Sequence, residues 1–156
     1  MSPSAAPAVG QAAPDFTLKG PGGQRITLSE FKGSKNVLLV FYPLAFSPVC
    51  SNQLPQIQGD LSRLQALDIE VFGISVDSHW SNTRFAQDLG LTFPLLSDWN
   101  REASEAYGVL LPSPGYSNRA LFLVDKQCRI AYQQIQEDIQ EIPDIEKVID
   151  ALKART

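Results

Sequence analysis

The stretch Asn36-Val37-Leu38-Leu39-Val40-Phe41-Tyr42-Pro43-Leu44-Ala45-Phe46-Ser47-Pro48-Val49-Cys50 decides how this chain folds. Asn36–Tyr42 is a continuous, uncharged, β-rich run, the pattern of a strand covered on both faces. Pro43 and Pro48 lack backbone donors and stiffen the segment that leaves it. A helix then begins near Cys50, because Leu54, Ile57, Leu61 and Leu64 recur three or four positions apart and form one buried stripe. Pro55 and Gly59 interrupt its propensity and mark a kink. A central strand passing through a short loop into a helix is where open α/β sheets place their ligands.

Working outward, Phe16–Lys19 and Arg25–Leu28 flank Gly20, Gly22 and Gly23 and read as an N-terminal hairpin. Downstream, Ile69–Val76 is a second buried strand, and Thr83–Leu89 is a helix ended by Gly90. Thr92–Leu96 reads as a short strand and Arg101–Tyr107 as a short helix closed by Gly108. Ala120–Val124 and Ile130–Gln134 pair across the polar turn Asp125–Arg129. A last helix starts near Pro143, a favoured first helical residue, and buries Ile145, Val148, Ile149 and Leu152. Strands alternating with helices and followed by a hairpin predict an α/β sheet with helices on both faces.

The chain has 156 residues, of which 44% are hydrophobic and 19% charged. A single domain of this size buries roughly 70% of its unfolded surface and needs no staples. Residues 1–9, small and Pro-rich, read as a flexible tail ahead of one domain over 10–156. They lack the basic and apolar regions of a secretory signal, and no apolar run approaches a membrane span. A cytoplasmic location is the expectation. Seventeen acidic against thirteen basic residues give a net charge of −4, which argues against nucleic acid or an anionic membrane as partner. Two cysteines and one histidine fall short of a structural zinc site and of a disulfide scaffold, so neither metal nor cofactor is expected.

The chemistry therefore rests on the cysteines. Cys50 falls in the first turn of its helix, where free N–H groups and the positive dipole end favour a thiolate. Ser47, three residues earlier, offers a hydroxyl that donates and accepts. The two prolines could shield a small pocket from water. Against this stands the bland alternative, a buried cysteine that only packs.

Pro43-x-x-x-Ser47-x-x-Cys50 resembles the active-site signature of the peroxiredoxins, Pro-x-x-x-Thr/Ser-x-x-Cys. The likeness extends along residues 10–152. Ala13-Pro14-Asp15-Phe16-Thr17-Leu18 resembles the family's N-terminal strand, and Val71–Asp77 resembles its strand ending in Ser-x-Asp. Arg119-Ala120-Leu121-Phe122-Leu123-Val124-Asp125 resembles the strand opened by its active-site arginine. The resemblance implies a thioredoxin-like fold, a central mixed β-sheet flanked by helices. It also implies a thiol peroxidase acting on hydrogen peroxide and organic hydroperoxides through a Cys50 sulfenic acid. Arg119 would supply fixed positive charge and hold a peroxide oxygen. Ser47 would bond the peroxide, and Pro43 would cover the thiolate. Gln53 occupies a position where the family often carries a carboxylate or amide.

The second cysteine sets the mechanistic class. Pro55 stands where one branch carries its resolving thiol, and no cysteine follows Cys128. If Arg119 lies beside Cys50, five strand residues carry the chain roughly 16 Å away before Cys128. A disulfide requires Cα atoms within about 7 Å. The segment around Cys50 is most similar to the AhpE-like one-cysteine branch, which implies an external thiol or a thioredoxin- or glutaredoxin-like reductant and a homodimer. Other readings stay open: a two-cysteine enzyme using Cys128, a redox-sensing protein that transmits Cys50 oxidation to a partner, or an interaction module with an inert Cys50. His79 is either a general base or a solvated capping residue. Trp80 and Trp99 either rim a pocket or interface or serve as core or edge aromatics. The loop Leu110–Asn118 runs into Arg119 and could shape access.

Overall fold

β3 (Asn36–Phe41) is buried at all six positions, and the remaining strands are arranged around it. The computed structural model describes residues 5–154, so residues 1–4 of the expected tail lie outside the described residues. The strands are β1 (Thr17–Lys19), β2 (Arg25–Thr27), β3, β4 (Ile69–Ser75), β5 (Leu95–Ser97), β6 (Ala120–Val124) and β7 (Ile130–Ile135). They form one seven-stranded mixed sheet in the order β2-β1-β5-β4-β3-β6-β7. β3, β4 and β5 run parallel, whereas β6 runs antiparallel to β3 with Phe41 opposite Ala120 and Val37 opposite Val124. β1 and β2 form the N-terminal hairpin, in register from Thr17 and Thr27 to Lys19 and Arg25.

Side-chain alternation along β3 divides the core in two. Leu38, Val40 and Tyr42 face one layer, with α1 (Pro48–Gly59), α2 (Leu61–Ala66), α3 (His79–Leu89) and α5 (Ile145–Lys153) packed against it through Leu54, Leu64, Phe85 and Val148. Val37, Leu39 and Phe41 face the other, with Tyr107 and α4 (Glu102–Ala106). Helices cover both faces, though four of the five lie on one. None of the described helices is long and apolar enough to cross a membrane.

Local differences from the sequence reading have physical causes. The helix expected near Cys50 begins two residues earlier, with Pro48 in its first turn, where a missing N–H costs nothing. Pro55 stays inside α1, and the chain breaks at Asp60, between α1 and α2. α3 starts at His79 rather than Thr83, because Ser78 caps it by accepting the Ser81 N–H at 3.1 Å although its first turn is polar. β5 starts three residues later than expected, with Pro94 just ahead of it. α5 begins at Ile145, not at Pro143; Asp144 caps it by accepting the Glu146 N–H at 2.9 Å.

Candidate active site

Two strand ends bring the site together. β3 ends at Phe41 and the chain turns through Tyr42–Ser47 into α1, so Cys50 sits as the third residue of that helix. Because β6 is antiparallel to β3, its start lies at the same sheet edge as the end of β3, which delivers Arg119 to Cys50. The Arg119 Nη2–H donates to Cys50 Sγ at 3.3 Å. Cys50 is fully buried and Arg119 is 2% exposed.

Every terminal nitrogen of the arginine is engaged. Nη1 donates to Gln53 Oε1, one helical turn after Cys50, and Nε donates to the Ile139 carbonyl at 2.7 Å. None of these acceptors is a carboxylate. A guanidinium out of water normally sits against an anion, and here the group beside it that can carry negative charge is the Cys50 sulfur. Cys50 also lies in the first turn of α1, where N–H groups without helical partners and the positive end of the helix dipole are found.

A cavity of about 290 Å³ opens beside Arg119, lined by Pro43, Leu44, Ser47, Val49, Tyr116 and Ile139 as well, while Cys50 lies buried behind its lining. Pro43 is buried, and Ser47 is half-buried at the cavity wall. The Ser47 hydroxyl donates to the Leu44 carbonyl at 3.0 Å and makes no helix-capping bond. That hydroxyl proton is committed to Leu44, so it must rotate away from the carbonyl to donate to another group. Of the four side chains singled out in the sequence, Cys50 and Arg119 thus touch, while Pro43 and Ser47 share a wall with the arginine.

Gln53 is a firmer part of the site than its sequence position suggested. It is 1% exposed, and its Nε2 has no hydrogen-bond partner. Ile139 escaped the sequence reading altogether, because it acts through its main-chain carbonyl and leaves no side-chain signal. Tyr116, within the loop suspected of shaping access, lines the cavity.

A model of the AhpC/TSA family matches residues 9–133. The chain belongs to this peroxiredoxin family. It is 41% identical over 150 residues to alkyl hydroperoxide reductase E of Mycobacterium tuberculosis strain H37Rv, covering 95% of this chain and 97% of the relative. Among solved structures, Enterococcus faecalis AhpC superposes with a TM-score of 0.87 at 28% identity, over 96% of this chain and 92% of that one. The reduced 2-Cys peroxiredoxin of Plasmodium vivax also gives 0.87 at 26% identity, over 94% and 81%.

The other residues of this peroxiredoxin that the sequence raised lie elsewhere. His79 opens α3, stacks on Trp80 with ring centroids 4.2 Å apart, and approaches Gly23. Trp80 and Trp99 are not core residues: they are 75% and 63% exposed and border a separate depression of about 540 Å³. Cys128 sits in the β6–β7 turn with φ 59°, and burial pushes its thiol above the ordinary value of 9.0. That turn follows the Val124 end of β6, opposite the end that holds Arg119.

Proposed function

We propose that this peroxiredoxin is a one-cysteine thiol peroxidase. The observation that carries the reading is the Arg119 Nη2 to Cys50 Sγ contact at 3.3 Å, with both groups out of water. The Cys50 thiolate gives an electron pair to the terminal oxygen of a hydroperoxide. The S–O bond forms as the O–O bond breaks, and the leaving alkoxide takes up a proton and departs as an alcohol, or as water from hydrogen peroxide. Sulfur ends as sulfenic acid. Arg119 holds the thiolate and, as charge builds, the peroxide oxygens. Ser47 bonds the peroxide from the cavity wall, and Pro43 keeps bulk water from the sulfur.

The sulfenic acid then condenses with an external thiol, releasing water and leaving a mixed disulfide. A second thiol frees Cys50. Cys128 does not serve as the resolving thiol in this reading, since the length of β6, about 16 Å, separates the two ends of that strand. A low-molecular-weight thiol or a redoxin supplies the electrons, in the cytoplasm.

The assembly is a homodimer in this proposal. Leu44, Phe46, Trp80 and Trp99 are exposed and follow β3, β4 and β5, three adjacent parallel strands whose ends share one sheet edge. The Trp80–Trp99 depression is also lined by Lys19, Arg25 and Glu102, so charges of both signs stand beside the exposed aromatic side chains.

The test is direct. Purified protein consumes peroxide with an added thiol, Cys50→Ser does not, and one equivalent of peroxide without thiol adds one oxygen per chain by intact mass. Turnover surviving in Cys50→Ser, or loss of two hydrogens in place of the oxygen, overturns the reading.

A further inference from the structure

The loop that carries Pro43 and Ser47 is suspended from buried polar side chains that the peroxide chemistry does not use. The Tyr42 O–H donates to Asn82 Oδ1 at 2.6 Å, and Asn82 Nδ2 donates to Ser75 Oγ at 3.0 Å. The Ser75 O–H donates to Asp77 Oδ2 at 2.8 Å, and the same carboxylate oxygen accepts the Ala45 N–H at 2.8 Å. Each hydroxyl and amide gives and takes in one consistent direction, so a single proton arrangement satisfies the chain.

Tyr42, Ser75 and Asn82 are fully buried. Burial holds the Tyr42 phenol well above its ordinary range, which keeps it a donor at neutral pH. Asp77 is itself anchored, since the Ser97 hydroxyl donates to its carbonyl at 2.7 Å. The chain of bonds starts at Tyr42 and ends at Ala45, the residues on either side of Pro43-Leu44. Both ends of the turn therefore hang on β4 and α3, and Ser47 leans on Leu44 through its hydroxyl. One oxygen of Asp77 accepts two donors at once, which makes this side chain the junction of the chain.

We propose that Asp77 is a positioning residue for the peroxide reaction: by accepting the Ala45 N–H it holds the Tyr42–Ser47 loop in the shape that sets Pro43 and Ser47 on the cavity wall beside Arg119. The proposal rests on the peroxidase reading above. Asp77 touches neither Cys50 nor Arg119, so its loss misplaces the cavity wall while leaving the thiolate held.

The experiment compares wild type, Asp77→Ala, Asp77→Asn, Ser75→Ala and Tyr107→Phe in single-turnover reaction with hydrogen peroxide, alongside thiolate absorbance and thermal unfolding. Tyr107→Phe removes a buried hydrogen bond to the Pro14 carbonyl on the other face of the sheet and controls for stability. Asp77→Ala slows the peroxide step by about tenfold or more, as a small misplacement of reacting groups does, with thiolate absorbance at pH 7 unchanged. Asp77→Asn, which keeps an oxygen for the Ala45 N–H, recovers most of the rate. Ser75→Ala leaves Asp77 unbuttressed and falls between, and it decides the matter should Asp77→Ala not fold. A peroxide rate in Asp77→Ala within twofold of wild type overturns the proposal, as does an unchanged rate in Ser75→Ala or equal slowing by Tyr107→Phe. Those results leave the peroxidase reading intact; a wild-type protein without turnover sinks both.

Discussion

Arg119 and Cys50 stand 69 positions apart in the chain and 3.3 Å apart in space, and the guanidinium that meets the sulfur has no carboxylate among its partners. The side chain is fixed from three directions, by the sulfur, by Gln53 and by the Ile139 carbonyl. The guanidinium is thus held in place, which suits the role proposed for it of stabilising negative charge on sulfur and on oxygen in turn.

Replacing the arginine affects both catalysis and stability. Arg119→Met slows the peroxide step by on the order of 10²-fold, the usual loss for one preorganised donor. Thermal stability falls, because Gln53 Oε1, the Ile139 carbonyl and the Cys50 sulfur lose their shared donor. Stopped-flow peroxide kinetics and calorimetry measure the two separately. An unchanged peroxide rate removes Arg119 from the chemistry.

Gln53→Met tests the second anchor. The buried Nε2 without a partner costs about 1–3 kcal/mol, and Met fills a similar volume without a polar atom. Stability therefore stays within about 1.5 kcal/mol of wild type. The guanidinium loses one of its three holds, and the peroxide rate drops several-fold. A rate equal to wild type would show that Ile139 and Cys50 suffice to hold the arginine.

Cys128 is tested by pH. Burial raises the Cys128 thiol above its ordinary value of 9.0, so it stays protonated and unreactive at neutral pH. In Cys50→Ser the thiolate absorbance rises only in alkaline solution, above that value. Cys128→Ser keeps full turnover with an external thiol. A turnover defect in that variant would bring Cys128 into the cycle.

Assembly is checked at the aromatic edge. Trp80→Glu and Trp99→Glu each bury a charge in the proposed contact, so sedimentation shows dimers shifting to monomers. Wild type sedimenting as a monomer at micromolar concentration would remove the proposed contact.

A surface pair sets the expected scale of minor effects. Arg63 joins α2 to Glu146 of α5 through two bonds, at 2.7 and 3.1 Å. The arginine holds the Glu146 carboxyl below its ordinary 4.5. Because the folded value is depressed, the pair contributes above 4.5 and its contribution is lost as pH falls through the lowered value. Both groups are exposed, so Glu146→Gln lowers the melting temperature only slightly, and the difference closes in high salt. A large, salt-independent loss would mean that the pair also locks the packing of α5.

Much of this protein was legible in its sequence, because the decisive features are local. The uncharged run of β3 and the proline-framed loop with Cys50 in the following helical turn are patterns of neighbours, governed by period and by missing donors. Ser47 and Pro43 belong to the same continuous stretch. Arg119 could be named only from its place ahead of a buried strand together with the family resemblance, since an arginine taken alone reads as a solvated surface charge.

What the tertiary structure decided depends on groups that meet only when the sheet closes. Strand pairing carries Arg119 to Cys50, and the turn after β7 offers a main-chain oxygen that every residue type possesses. Polar side chains of β4 and α3 converge on Ala45 through bonds with no sequence period. Trp80 and Trp99 look like core residues in one dimension, yet the folded chain leaves them in water beside three strand ends. Composition and spacing describe what a residue can do, while burial and the partners it finds are properties of the closed sheet.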